Sequence, residues 1–343
     1  MATTLWSELI TPAELTGYAR AALEDYEASK GTLAAFLPNR EVPDIEARFI
    51  KGNKGLVEEA SFRAFDAEPE EGSREPRSRV RIELPAIGQT LKVSEWAQLR
   101  ARNATDDEIR NQVLRDAEQV VRAIADRIER LRGTVLVTGK ATIDQENFAI
   151  EDDFGRSASH TVTAPQLWDD ASVDRLSYLE TLLDVYRDTN GEEPGALVMS
   201  QRVLRALATG DQFKTVFTGG GTRDATQEQV FNTLSSAGLP PVTIYDRKTR
   251  GGRVIPNNVL MLLPAAVSPT DWQGTDLGAT FWGQTLTSMD DRYKLAPSEQ
   301  PGIVVGLFRG DRPPMAGETI ADAIAEPVLA NADLSLVATV LAA

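Results

Sequence analysis

Apolar residues along the chain switch between helical and strand spacing, and the switches mark out its parts. Leu15, Tyr18, Ala19, Ala22, Leu23 and Tyr26 recur every three to four positions, the spacing of one helix face. Thr11 supplies a cap, Pro12 suits the first turn, Glu14 stands at the capping-box position and Gly31 provides a stop. The prolines of Leu37-Pro38-Asn39-Arg40-Glu41-Val42-Pro43 then demand extended backbone. Between 45 and 93 the period drops to two. Ile45, Ala47 and Phe49, then Ala60, Phe62 and Ala64, then Val80, Ile82 and Leu84 alternate with polar residues, as half-buried strands do. The polar stretch 66–78, broken by Pro69, Gly72 and Pro76, reads as a solvated tip. The segment predicts an extended two- or three-stranded arm. A lone hairpin is marginal in water, so the apolar face of this arm is expected to need a neighbouring subunit.

A second helix is expected over 105–132. Thr105 and Glu108 form a capping box, and Ile109, Val113, Ala117, Val120, Val121, Ile124, Ile128 and Leu131 keep helical spacing up to a stop at Gly133. Charged residues cover its other sides, so it reads as a spine lying across a sheet. Residues 135–137 and 148–150 predict a short hairpin after it. From about Ser172 the pattern becomes mixed α/β. Helices are expected around 176–186, 203–207 and after the Thr226/Gln229 box, and strands at 196–199, 242–245, 259–263, 303–308 and 335–341, with loop between 264 and 302.

Composition narrows the chemistry. The chain has 343 residues, a formal net charge of −15, no cysteine and one histidine, His160. Disulfides, thiolate metal sites and a histidine-rich metal site are excluded. The acidic balance and the lack of a basic run argue against tight nucleic-acid binding, which needs clustered Lys and Arg. No secretory signal is read at the start. The longest apolar stretch, 259–267, is far short of a membrane span and contains Pro264, so a cytoplasmic product is expected. Gly219-Gly220-Gly221 lacks the Gly-Lys-Ser/Thr ending of a phosphate loop. Ser159 beside His160 has no nucleophile elbow around it. Asp106-Asp107-Glu108 suits the first turn of a helix, Arg309-Gly310-Asp311 reads as a turn and Asn103-Ala104-Thr105 as a cap. No cofactor, metal or catalytic residue is expected.

The order of these pieces resembles a known family. Leu37-Pro38-Asn39-Arg40-Glu41-Val42, the hairpin arm and the capped spine helix come first. Ala237-Gly238-Leu239-Pro240-Pro241-Val242-Thr243-Ile244-Tyr245-Asp246 and Val254-Ile255-Pro256-Asn257-Asn258-Val259-Leu260-Met261-Leu262-Leu263-Pro264 come later, then Glu326-Pro327-Val328-Leu329 and Val337-Ala338-Thr339-Val340-Leu341. Together they resemble the lambda-type major capsid proteins of tailed bacteriophages, which have the Hong Kong 97 capsid fold.

The resemblance implies an α+β chain with an N-terminal arm (1–44), an extended β loop lying on the next subunit (45–93) and a peripheral domain with the spine helix (94–189). A mixed α/β axial domain (190–343) would follow, its last segment returning to the axial sheet. It implies self-assembly into hexamers and pentamers of an icosahedral head that encloses double-stranded DNA without specific binding. It also implies a separate scaffold protein, a portal and a decoration protein as partners, and assembly in the host bacterial cytoplasm. Phe49, Phe62, Phe65, Arg77, Arg79 and Arg81 on the arm and Gly219, Gly220 and Gly221 at a tip loop are the candidate assembly residues. An encapsulin-like compartment shell of the same fold and a soluble α/β enzyme are the alternatives.

Overall fold

A computed structural model describes residues 3–51, 78–100, 106–145, 148–216, 222–313 and 315–342. Two cores organise them. In the first, an N-terminal helix, Pro12–Lys30, and a long helix, Asp106–Thr138, lie on a six-stranded sheet. The Thr11 hydroxyl accepts from the Glu14 amide and Gly31 ends the N-terminal helix with φ 74°, as its sequence demands. The central strand of the sheet is Gly317–Leu329. Its first half is flanked by Val304–Gly310 on one side and Ala86–Val93 on the other, and its second half pairs with Gly278–Trp282. Thr3–Leu5 and Asn39–Glu41 complete the edges. Ala321, Ala323 and Ala325 face the helices together with Val120, Val121 and Ile124. Small side chains there let the long helix approach closely.

The second core surrounds a five-stranded sheet in the order Val242–Ile244, Ala196–Met199, Val259–Leu263, Leu336–Thr339, Thr161–Thr163. The helices Arg175–Asn190, Gln201–Ala208 and Gln227–Ser236 pack against it. Uninterrupted apolar runs such as 259–263 are buried throughout, the pattern of a strand covered on both faces. Thr226 and Gln229 form the expected reciprocal cap.

The long helix joins the two cores, and here the structure departs from the sequence reading. The helix does not stop at Gly133, and 135–137 is not a strand. It runs 33 residues, about 50 Å at ~1.5 Å per residue, and ends at Gly139, φ 74°. Val113 to Ile128 belong to the first core, whereas Val135 and Leu136 belong to the second. Gly133 lies where the helix crosses the 254 backbone: a Cβ there would sit 2.5 Å from the Val254 carbonyl oxygen. The glycine answers a close approach rather than a cap. The hairpin that follows is Lys140–Gln145 with Phe148–Asp153. The loop expected over 264–302 contains the strand Gly278–Trp282, and Arg309-Gly310 closes a strand rather than making a turn. Gly278–Trp282, Val304–Gly310 and Gly317–Leu329 thus share the sheet on which the two helices lie.

At the end of the long helix Arg156 donates to the carbonyls of Leu136 (2.7 Å) and Val137 (2.5 Å), and the Ser157 amide donates to Asp333 at 2.7 Å. His160 is fully buried beside this cluster, its ring 6.2 Å from that of Tyr186. Burial, reinforced by the Arg156 charge and opposed by Asp333, holds the imidazole below its ordinary pKa. The unfolded chain takes up this proton near pH 6.5 and the fold only at lower pH, so stability should fall as the pH drops below about 6.5, by at most ~1.4 kcal/mol per unit. The acid limb of urea unfolding should flatten in His160→Leu; an unchanged limb would assign the loss to other groups.

Candidate assembly interface

The arm root is an antiparallel pair, Glu46–Lys51 with Ser78–Glu83, in which Ala47 faces Ile82, Arg48 faces Arg81 and Phe49 faces Val80. Alternation sends Ala47, Phe49 and Ile82 inward, where they are buried. The Phe49 ring packs on Phe281 with centroids 6.3 Å apart. Two expectations change as a result. Phe49 is an anchor in the chain's own core. The limb 45–93 also does not depend as a whole on a sister copy. Its root joins the second core, and Ala86–Val93 is zipped to the chain's own central strand over eight residue pairs. Main-chain hydrogen bonds to a buried strand supply what the isolated hairpin lacks.

Arg48 and Arg81 project outward as a like-charged cross-strand pair, an arrangement that is unfavourable without counter-charges. Arg48 has Asp44 at 3.0 Å and Glu46 at 3.4 Å; exposed pairs of this kind contribute at most about 1 kcal/mol. Arg81 is exposed and forms no ion pair with a described residue. Phe62, Phe65, Arg77, Gly219, Gly220 and Gly221 lie outside the described residues, as does the side chain of Arg79.

A surface that the sequence reading passed over stands at the other end of the sheet. The short helix Glu95–Arg100 holds Trp96 and Leu99 66% and 61% exposed. Beside it opens a groove of about 590 Å³ lined by apolar residues such as Trp6, Ile109 and Leu307 and by both acids (Glu95, Asp116) and bases (Arg115, Arg309). The signal was Trp96 and Leu99 three positions apart in a run too short to register as an amphipathic helix. Leu286 and Met289 form a second exposed apolar spot, 85% and 54% exposed.

Ser159 and His160 do not pair. His160 is sealed in the core while Ser159 is exposed and meets only Ser157 at 3.4 Å. Among the described residues no group of three or more His, Asp or Glu side chains is placed to hold a metal ion. Nor is any described helix long and apolar enough to cross a membrane.

Comparison with known proteins agrees with this surface-dominated picture. Residues 22–273 match the family model described as phage major capsid protein E. The fold is shared with the crystal structure described as a prophage capsid protein from E. coli CFT073 (TM-score 0.59, 14% identity, 100% of both chains). It is shared as well with a phage-related protein from Bordetella bronchiseptica RB50 (TM-score 0.59, 13% identity, 98% of this chain and 97% of that one). No curated protein matches the chain by sequence. The family match decides among the three expectations, for a phage head protein and against a compartment shell or a soluble enzyme. The chain belongs to the phage major capsid protein family, and it is a structural protein of the virion capsid.

Proposed function

We propose that the chain is a lambda-type shell subunit with the Hong Kong 97 fold, and that copies associate as hexamers and pentamers into an icosahedral head around double-stranded DNA. The arm of one copy lies over the Trp96/Leu99 groove of the next. The observation that carries this reading is that groove, an apolar surface held open beside two large exposed side chains; monomeric proteins seldom leave such a patch uncovered. Charge supports the pairing of surfaces. The arm strand 78–83 carries Arg79 and Arg81, and the groove lining carries Glu95, Glu108 and Asp116 against Arg115 and Arg309, a small acidic excess; such complementarity sets orientation and partner choice more than affinity. Assembly in the host cytoplasm with a scaffold protein, a portal and a decoration protein completes the proposal. The net charge of −15 keeps the inner wall from gripping the packaged genome.

Electron microscopy of the expressed full chain with its scaffold tests the contact. Arg79→Glu/Arg81→Glu and Trp96→Asp should each leave folded subunits and no closed shells, because a lost central contact costs about 2 kcal/mol or more and recurs at every interface. Normal shells from either variant would refute the placement of the arm.

A further inference from the structure

Ile303-Val304-Val305-Gly306-Leu307-Phe308 is apolar, uncharged and free of proline. A run of that kind pairs readily with an identical run of another copy, because the backbone groups find partners and the side chains interdigitate. The fold places it at the Val304–Gly310 strand, one edge of which is zipped to the central strand Gly317–Leu329. Backbone groups of successive residues point to opposite edges of such a strand. The set that points away from the central strand is 303, 305, 307 and 309.

Residues 3–20 meet that outward set. Thr4 lies opposite Arg309 in the short strand Thr3–Leu5. The Trp6 amide donates to the Leu307 carbonyl at 2.8 Å, and Arg309 stacks over the Trp6 ring, 5.5 Å from its centroid. The N-terminal helix then takes over with two side chains four positions apart, which share one of its faces. The Thr16 hydroxyl, 1% exposed, accepts from the Val305 amide at 3.1 Å and donates to the Val305 carbonyl at 3.2 Å. One side chain thus answers both groups, as a neighbouring strand would. Arg20 donates to the carbonyls of Ile303 and Pro301, both at 2.9 Å. Gly302 between them, at φ 100°, leaves the guanidinium room: a Cβ there would lie 3.3 Å from its Nη2. Leu15 and Ala19 of the same helix share a core with Ile303, Val305 and Leu307.

We propose that residues 3–20 are a strap that shuts this edge, with Thr16 and Arg20 as its clasp, and that the partner it holds off is the 303–308 run of a second copy. An open edge strand is a template for another chain. This one is self-complementary, because its outward groups recur at every second residue and two copies can pair edge to edge about a twofold axis. The strap keeps a lone subunit out of that pairing and leaves it free for other contacts.

Residue-resolved hydrogen exchange and thioflavin T binding of the purified full chain read the clasp. In Thr16→Val/Arg20→Met the Val305 amide should exchange about tenfold faster, the effect of losing one buried hydrogen bond. The Val304 and Gly306 amides, which face the central strand, should stay as protected as in the wild type. The variant should also form concentration-dependent, thioflavin-positive species that the wild-type chain does not form. Phe308→Lys added to it, a charge inside the run, should abolish them. Thr16→Ser, which keeps the hydroxyl, should behave as the wild type. Should the double variant fail to fold, Arg20→Met alone, which leaves Thr16 bonded, should give the same species more slowly. Unchanged Val305 exchange, faster exchange without association, or species that persist with Phe308→Lys would each overturn the proposal. The readout is made on the subunit and does not depend on how shells close.

Discussion

Replacing Glu129 with alanine should destabilise the chain by about 3–5 kcal/mol, the cost of stripping a buried charge cluster of its counterion. Glu129 is fully buried in the long helix. It accepts from the Leu33 amide at 2.7 Å, the Tyr245 hydroxyl at 2.6 Å, the Thr32 hydroxyl at 3.0 Å and Arg132 at 3.1 Å, and Arg247 lies 3.7 Å away. Those partners come from the segment after the N-terminal helix, from the segment after the strand Val242–Ile244 of the five-stranded sheet and from the long helix itself. One carboxylate therefore ties the two cores together. Arg132 continues the network to Asn39 (2.5 Å) and Thr280 (2.8 Å), and Arg247 reaches Asp126 (2.9 Å) and the Gly31 carbonyl (2.9 Å). Burial and the adjacent Glu129 charge hold the Tyr245 phenol well above its ordinary range, so it remains a donor. In the alanine variant, two guanidinium groups 1% and 3% exposed lose their shared anion. Urea unfolding of the full chain measures the effect, and a loss under about 1 kcal/mol would show that water or a shifted neighbour takes the carboxylate's place.

Gly133→Ala should destabilise by about 1–3 kcal/mol, the range for overpacking. This is opposite in sign to the gain of up to ~1 kcal/mol expected from glycine to alanine inside a helix. The added methyl meets backbone: the Val254 carbonyl oxygen at 2.5 Å and its carbon at 3.0 Å, with a Val254 methyl at 2.7 Å. Backbone cannot swing aside as the end of a lysine would, so the 254 segment must move off the long helix, taking Val254 and Ile255 from the core they share with Val135 and Leu136. Thermal unfolding against the parent measures the sign. A rise in Tm would mean that the crossing is looser than its contacts indicate.

The sequence by itself determined the elements whose signals are local. The Thr11 and Thr226 caps, the Gly31 stop and the apolar runs 196–199 and 259–263 all depend on residues a few positions apart, and each forms as read. The family could be recognised for a related reason, since the order of such segments survives when individual residues do not. Tertiary structure decided whatever depends on a partner far along the chain. Gly133 looks like a stop until Val254 is brought against it. The strand Gly317–Leu329 shows little contrast because its helix-facing positions Ala321, Ala323 and Ala325 are small; their value lies in how near the helix comes. Phe49 alternates as an exposed-arm residue would, and only the arrival of Phe281 makes it core. Glu129 and Glu326 are ordinary acids in the sequence. Burial separates them, because one is surrounded by donors and the other has no hydrogen-bonding partner.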